Sequence, residues 1–300
     1  MKKVFFIILT LPLFFCSSCK KDGVFNPKEK IVAVYQQSTS SDGTGTPSVV
    51  DKYKAEEWIW DGKLLKEIVS YTPDGTTSGR QLLTYDCKRL VKVSDESGAY
   101  YTEYTYKSGK LTKIVIMSDG SEMFAADVQH DGSFISKMTM TMEMPDSIGA
   151  DFAKRSLSMV IPKPVADLVI GSRSTKAAQT MTVSLNFSYT DKNLTKVTVS
   201  MSGMTFMTVS CTYDQKKNPM QGCYAFLSPS ALSKNNLVEV KTGGLINSMP
   251  IEGIDLPTNQ KYTYTYNSAD YPETVSTTAS LTQDGVTTTT SSTTFYVYGE

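Results

Sequence analysis

One hairpin pattern recurs along this chain and leaves few folds open to it. In Tyr104-Thr105-Tyr106-Lys107-Ser108-Gly109-Lys110-Leu111-Thr112-Lys113-Ile114 aromatic residues alternate with polar ones. A polar turn containing glycine follows, and a Leu-x-Lys-Ile segment returns. Alternation of period two on both sides of a tight turn describes antiparallel strands. Trp58–Lys66, Leu83–Val93 and Phe187–Val197 repeat the pattern, and Tyr264-Thr265-Tyr266-Asn267-Ser268 begins it again. Trp60, Tyr85 and Tyr106 stand 25 and 21 residues apart. That interval holds two strands and two turns, the step of a β-meander rather than of a solenoid coil.

Extended over the chain, the pattern predicts an all-β fold of roughly 14 to 16 antiparallel strands, forming a barrel or a strongly curled sheet. Residues 31–300 read as a single β domain. The 17 tyrosines and the many threonines and serines suit strands, and no long helical periodicity competes. An unpaired first and last strand would each expose a row of backbone donors and acceptors. Val32 and Val34 near one end and Phe295 and Val297 near the other share an apolar spacing, so the terminal strands are expected to pair or be covered. The 30 basic and 30 acidic residues balance, which argues against nucleic acid as a partner.

Met138-Thr139-Met140-Thr141-Met142-Glu143-Met144 places every methionine on one strand face. No His or Cys joins the run, and same-face neighbours lie roughly 7 Å apart, too far for two sulfurs to share one ion easily. The face reads as adaptable core packing, and no metal or cofactor is expected. An irregular insertion at about residues 145–176 then interrupts the meander. It carries many aliphatics, and it is expected to fold over one barrel end or into an interior too wide for strand side chains to fill.

The first residues read as a leader. Lys2 and Lys3 precede an apolar run from Val4 to Phe15, too short to span a bilayer as a helix. The run ends at Cys16-Ser17-Ser18-Cys19, which resembles a bacterial lipobox. The resemblance implies a signal peptide over 1–18, a lipid on Cys19, and an anchor and linker over 19–30. It also implies a membrane partner reached through that lipid, on the surface or periplasmic side of an outer membrane.

The lipobox start and the repeated hairpins are joined by Tyr213-Asp214-Gln215-Lys216-Lys217-Asn218-Pro219, Lys234-Asn235-Asn236 and Tyr271-Pro272. In that order they resemble a family of Bacteroides-type lipoproteins carrying a domain of unknown function described as porin-like. Single hairpins also resemble YD (RHS-type) repeats. Neither resemblance supplies a catalytic residue. Lys66, Lys92, Lys113 and Lys196 follow the turns, and Thr287–Thr294 is long and polar, so the lipid-facing apolar band of a spanning barrel is not written here. The reading is a soluble, lipid-tethered barrel.

Residues for chemistry are sparse. Phosphate-binding glycine loops, the zincin helix and the nucleophile elbow are absent from the sequence. The one histidine, His130, adjoins the Asp131-Gly132 turn and reads as a solvated turn residue. Glu56-Glu57 and Asp95-Glu96 are adjacent, so their side chains diverge rather than pair for hydrolysis. Trp58 and Trp60 share a strand face; exposed, they would stack a sugar, and buried, they are core. Asp146-Ser147-Ile148 resembles a Bacteroides-type O-glycosylation sequon at Ser147. Cys87, Cys211 and Cys223 remain after processing; a Cys211–Cys223 bridge is conceivable, with free buried thiols the default.

The functional expectation is a non-enzymatic envelope lipoprotein that binds a glycan, lipid or partner protein. The alternatives are a structural or assembly component of the outer membrane without a small ligand, and a carboxylate-based hydrolase.

Overall fold

The computed structural model describes residues 22–41, 47–143, 180–201, 203–244, 259–283 and 286–299. Cys19, Ser147 and the 145–176 insertion lie outside them. Sixteen strands follow one another: β1 (Lys30–Ser41), β2 (Ser48–Asp61), β3 (Leu64–Tyr71), β4 (Thr77–Asp86), β5 (Arg89–Asp95), β6 (Tyr100–Lys107), β7 (Lys110–Ser118), β8 (Ser121–Asp131), β9 (Phe134–Glu143), β10 (Thr180–Thr190), β11 (Asn193–Met201), β12 (Met204–Tyr213), β13 (Leu237–Gly243), β14 (Asn259–Tyr266), β15 (Pro272–Gln283) and β16 (Val286–Gly299). Each pairs with its chain neighbours, and β1 pairs antiparallel with β16, so the sheet is a closed barrel. Closure removes both edges that the sequence could not leave bare.

The recurring aromatic has a structural task. β2, β4, β6, β8, β10, β12 and β14 each slip register one or two residues before their turn, immediately ahead of Trp60, Tyr85, Tyr106, His130, Tyr189, Tyr213 and Tyr266. In each case the extra residue lies on the returning strand (Lys66, Val91, Thr112, Ser136, Thr195, Val238 and Glu273), and such a bulge re-aims the side chains beside it. Between hairpins the ladders stop short of this level, at Glu67↔Leu82, Lys92↔Glu103 and Lys196↔Ser210. The carbonyls of Leu65, Leu90 and Leu194 therefore lack a strand donor, and the tyrosine hydroxyls supply one. Tyr85 donates to Leu65 at 2.7 Å, Tyr106 to Leu90 at 2.8 Å and Tyr213 to Leu194 at 2.7 Å. Trp60 Nε1 donates likewise to the Ile31 carbonyl at 2.7 Å. The Leu of each Leu-x-Lys segment points inward and is buried, as at Leu65, Leu90, Leu111 and Leu194.

All these turns lie at one end of the barrel, with the start of β1 and the end of β16; this is the closed end. The connections β1–β2, β3–β4, β5–β6 and onward lie at the other, open end. At the closed end the lumen is filled by two segments that are not strands. One is the lead-in to β1, where Phe25 packs on Trp60 with centroids 5.8 Å apart. The other is the 214–236 connection between β12 and β13. It buries Cys223, Ala225, Leu227 and Ala231 and stacks Phe226 on Trp58 at 6.0 Å.

The sequence motifs noted around this connection are its fastenings. Asp214 Oδ1 accepts from the Asn236 and Lys216 N–H groups, and the Tyr266 hydroxyl donates to Asp214 Oδ2. Asn193 and Asn235 are both buried and bond reciprocally, with Asn193 Nδ2 donating to Asn235 Oδ1 at 3.1 Å and the Asn235 N–H donating to Asn193 Oδ1 at 2.9 Å. Asn218 Nδ2 donates to the Ser230 and Ser233 carbonyls. Buried polar groups paired in this way hold one arrangement of a segment that has no ladder of its own. Part of the interior filling expected of residues 145–176 is thus supplied by 214–236. Phe226 and Leu227 are its apolar payload, and sequence periodicity could not mark them because the segment has none.

The wall has apolar side chains inside and charged ones outside. Leu65, Leu111, Val183, Leu185, Val199 and Met207 are wholly buried, and Met138 and Met140 face the same interior. Outside, Lys54 meets Glu57 at 2.8 Å, Arg80 pairs with Glu67, Lys113 approaches Glu122 at 4.0 Å and Lys241 meets Glu239 at 2.9 Å. Lys92 lies 3.5 Å from the Tyr101 ring centroid. A barrel that crosses a membrane shows the opposite polarity, an outward apolar band around a polar lumen.

Candidate functional site

The cleft that joins chemistry to shape opens at the closed end, between the filling segments and the β8–β9 and β10–β11 hairpins. It encloses about 480 Å³ and includes Asp22, Phe134, Tyr189, Lys192, Tyr224 and Lys234 in its lining. That volume is in the range of small-molecule pockets. Phe134 and Tyr189 come from neighbouring hairpins and stack with centroids 4.8 Å apart. Lys192 is delivered by the tight Asp191-Lys192 turn, both residues at positive φ, and its carbonyl accepts the Lys234 N–H at 3.1 Å. This bond fixes the spacing of the two lysines. Neither ammonium has an ion-pair partner among the described residues. Ser133 and Gln221 add a hydroxyl and an amide to the lining.

Asp22 forms the inner wall. Its Oδ2 accepts the Leu111 N–H at 2.9 Å and lies 2.8 Å from His130 Nε2. Burial, followed by the Asp22 charge, pushes the Tyr224 and Tyr189 phenols well above their ordinary range. The carboxylate is therefore committed to the protein, and among the described residues the lysines are the cleft's unpaired charges. The preceding strap is fitted closely: the Gly23 carbonyl accepts the Leu90 N–H at 2.8 Å, and a Cβ at Gly23, whose φ is +73°, would run into the Tyr106 hydroxyl.

His130 departs from its sequence expectation. It is not a solvated turn residue: its side chain is 6% exposed. Opposite the β9 bulge at Ser136 it takes the slot that tyrosine or tryptophan fills in other hairpins, and there it meets Asp22 instead of a strand carbonyl.

Trp58 is 4% exposed, its Nε1 donating to Glu56 at 2.8 Å. Trp60 is half-buried in the ring of clasps. The rings occupy the core and the wall rather than the cleft. Glu56 and Glu57 point to opposite faces. Burial raises the Glu56 carboxyl above its usual range, with the Trp58 bond opposing. The Lys54 bond, then that from Tyr71, holds Glu57 below it. Asp95 accepts from Ser97 at 2.7 Å within its turn, and Glu96 lies 3.8 Å from Arg80 on the outer wall. Among the described residues no cluster of three or more His, Cys, Asp or Glu side chains is placed to hold a metal. Cys87, Cys211 and Cys223 are free; burial pushes the Cys211 thiol up to about 11 and Cys223 to about 12.

The cleft was not legible in the sequence. Its lysines look like ordinary turn residues, and its aromatics like two more members of the hairpin pattern. Only the position of the 214–236 segment brings them together.

Comparison with known proteins supports the architecture. No family model matches the chain, and no curated protein matches it. Among solved structures it is similar to the crystal structure of a porin-like protein from Bacteroides uniformis. The TM-score is 0.51 at 8% identity, covering 93% of this chain and 100% of that one. At that identity the likeness concerns the fold alone, and it agrees with the porin-like fold implied by the sequence resemblance.

Proposed function

We propose that the protein is a water-exposed barrel tethered to the outer membrane through lipid on Cys19, and that it acts as a non-enzymatic binding module. Its ligand sits in the closed-end cleft. The observation that carries the reading is the pair of lysines, Lys192 and Lys234, that line the cleft with the stacked Phe134 and Tyr189 and have no ion-pair partner among the described residues. Two ammonium groups next to a flat apolar surface suit a ligand with a carboxylate or phosphate on a ring or chain. The reversed wall polarity supports tethering over spanning, because charged pairs on the outer wall are costly against lipid.

The test is calorimetric titration of the mature chain with oligogalacturonate and, separately, with a short-chain phosphatidylglycerol below its micelle concentration. Binding of either that is lost in the Lys192→Ala/Lys234→Ala variant supports the cleft. Binding unchanged by that variant, or no binding of either, removes it.

A second reading, a structural or assembly component, rests on the outer face of β14, β15 and β16. There Thr263, Thr265, Ser276, Thr278 and Ser291 form an exposed array of hydroxyls. A glycan attached at Ser147 is compatible with either.

A further inference from the structure

The described turns at the two ends of this barrel differ in their charged residues. Among the described connections of the open end stand Asp74, Glu96 and Asp119, with no lysine or arginine, although Arg80 on the adjoining wall lies 3.8 Å from Glu96. The closed-end turns carry Lys63, Lys88, Lys107, Lys110 and Lys192, with Lys234 on the filling segment. Asp61, Asp86, Asp131 and Asp191 share those turns. Their carboxylates sit on short side chains close to the backbone, while a lysine carries its ammonium on a four-carbon stem that can reach beyond them; the Lys110 ammonium instead donates to the Gly132 carbonyl of the next turn at 2.6 Å. Asp22 and Asp214 bond inward, and Asp270 is paired with Lys216 at 2.7 Å.

The described chain also begins at this end. Asp22 lines the closed-end cleft, and Cys19 is three residues earlier, within a reach of roughly 11 Å. A lipid there brings the closed-end turns to the membrane surface, where the field of anionic head groups acts over about 8 Å at physiological salt. Lysines gathered at the tethered end draw that end toward such a field.

We propose that the closed end of the barrel seats on an anionic phospholipid surface, its turn lysines among the head groups and its open end pointing away. This rests on the Cys19 tether proposed above. It also deepens the reading of the cleft, whose ligand then comes from the head-group layer.

Cys87 is an exposed thiol on the β4–β5 turn, and the other two described thiols are buried, so the protein carries its own reporter at the closed end. The full mature protein, purified from membranes, is labelled at Cys87 with a fluorescent maleimide. It is then reconstituted in vesicles of phosphatidylcholine, with and without phosphatidylglycerol, that contain a head-group nitroxide quencher. A Cys87→Ser/Asp119→Cys variant reports from the open end. The expected result is severalfold stronger quenching at Cys87 than at position 119. Phosphatidylglycerol should strengthen it, and both high salt and the Lys63→Gln/Lys88→Gln/Lys107→Gln variant should weaken it. Equal quenching at the two positions, or no response to phosphatidylglycerol, overturns the orientation. Mass spectrometry of the N-terminal peptide separates the premises. An unacylated Cys19 overturns the tether and the seating with it, whereas an acylated Cys19 with equal quenching overturns the seating alone.

Discussion

His130 Nε2 lies 2.8 Å from Asp22 Oδ2, joining the barrel wall to the strap that leads into β1 across 108 residues of sequence. The same carboxylate oxygen accepts the Leu111 N–H. Asp22→Ala removes the acceptor of both donors, at a cost of about 1–3 kcal/mol. Asp22→Asn keeps an acceptor oxygen and should lose less. Denaturant unfolding of the two variants checks the order; equal losses would show that the carboxylate's hydrogen bonds do not hold the strap.

Barrel closure can be tested by crosslinking, and the register selects the pair. Ala33 is the partner of Val297, whereas Val34 is the partner of Tyr296. Val34 is buried inside, while Val297 is 42% exposed outside. A bulge between Ile31 and Ala33 displaces the register from the one that simple alternation suggests. Ala33→Cys/Val297→Cys should therefore oxidise to an intramolecular disulfide, with directly opposed Cα atoms in the range of about 4.5–5.5 Å. Val34→Cys/Val297→Cys should not, since those side chains point to opposite faces. Non-reducing electrophoresis and peptide mapping distinguish the two.

The Phe226–Trp58 stack holds the 214–236 segment to the wall, and its loss should be costly. Trp58→Ala removes a fully buried ring and is expected to destabilise by about 3–5 kcal/mol. Phe226→Ala should cost less, because that ring is only half-buried. Thiol accessibility gives a separate readout. In the native protein a thiol reagent should modify Cys87 alone; in Phe226→Ala it should also reach Cys223. If Cys223 stays protected, the stack does not govern the position of the segment.

Glu56 should make stability depend on pH. Its carboxyl is raised above the ordinary value by burial, so over the interval between the unfolded and folded values the native state binds more protons than the unfolded state. Stability then falls as pH rises through that interval. Each unit of displacement corresponds to about 1.4 kcal/mol. Glu56→Gln retains an acceptor for Trp58 Nε1 and removes the charge. It should melt higher than the wild type at neutral pH, and the difference should close below the ordinary carboxylate range. A difference independent of pH would show that the gain has another source.

The fold was largely legible in the sequence because the hairpin is a local device. Tyr104-Thr105-Tyr106 and the turn after it specify alternation, direction and stop within eleven residues. Repetition gave roughly 14 to 16 strands, and the cost of bare edges required the terminal strands to pair or be covered; that they pair with each other and close the barrel is seen in the structure. What stayed hidden depends on contacts between distant residues. Trp58 could be core or platform until Phe226 was seen against it. His130 could be solvated until the bulge placed it opposite Asp22. The polar run from Asp214 to Asn236 reads as a loop, because its order comes from Asn193, Asn218 and Tyr266 rather than from periodicity.

The pairing of β1 with β16 also has a kinetic side. Fifteen of the sixteen ladders join strands that are neighbours in the chain, and each can zip as soon as its hairpin exists. The sixteenth joins Lys30 to Gly299 and must close a loop of nearly the whole chain, yet the entropy of such closure grows only logarithmically with length. Until the C-terminal strand is made, β1 waits with an open edge. A chain truncated before Val286 loses one strand but exposes two edges, those of β1 and β15. Quality control of this protein therefore falls on its last fourteen strand residues, Val286–Gly299.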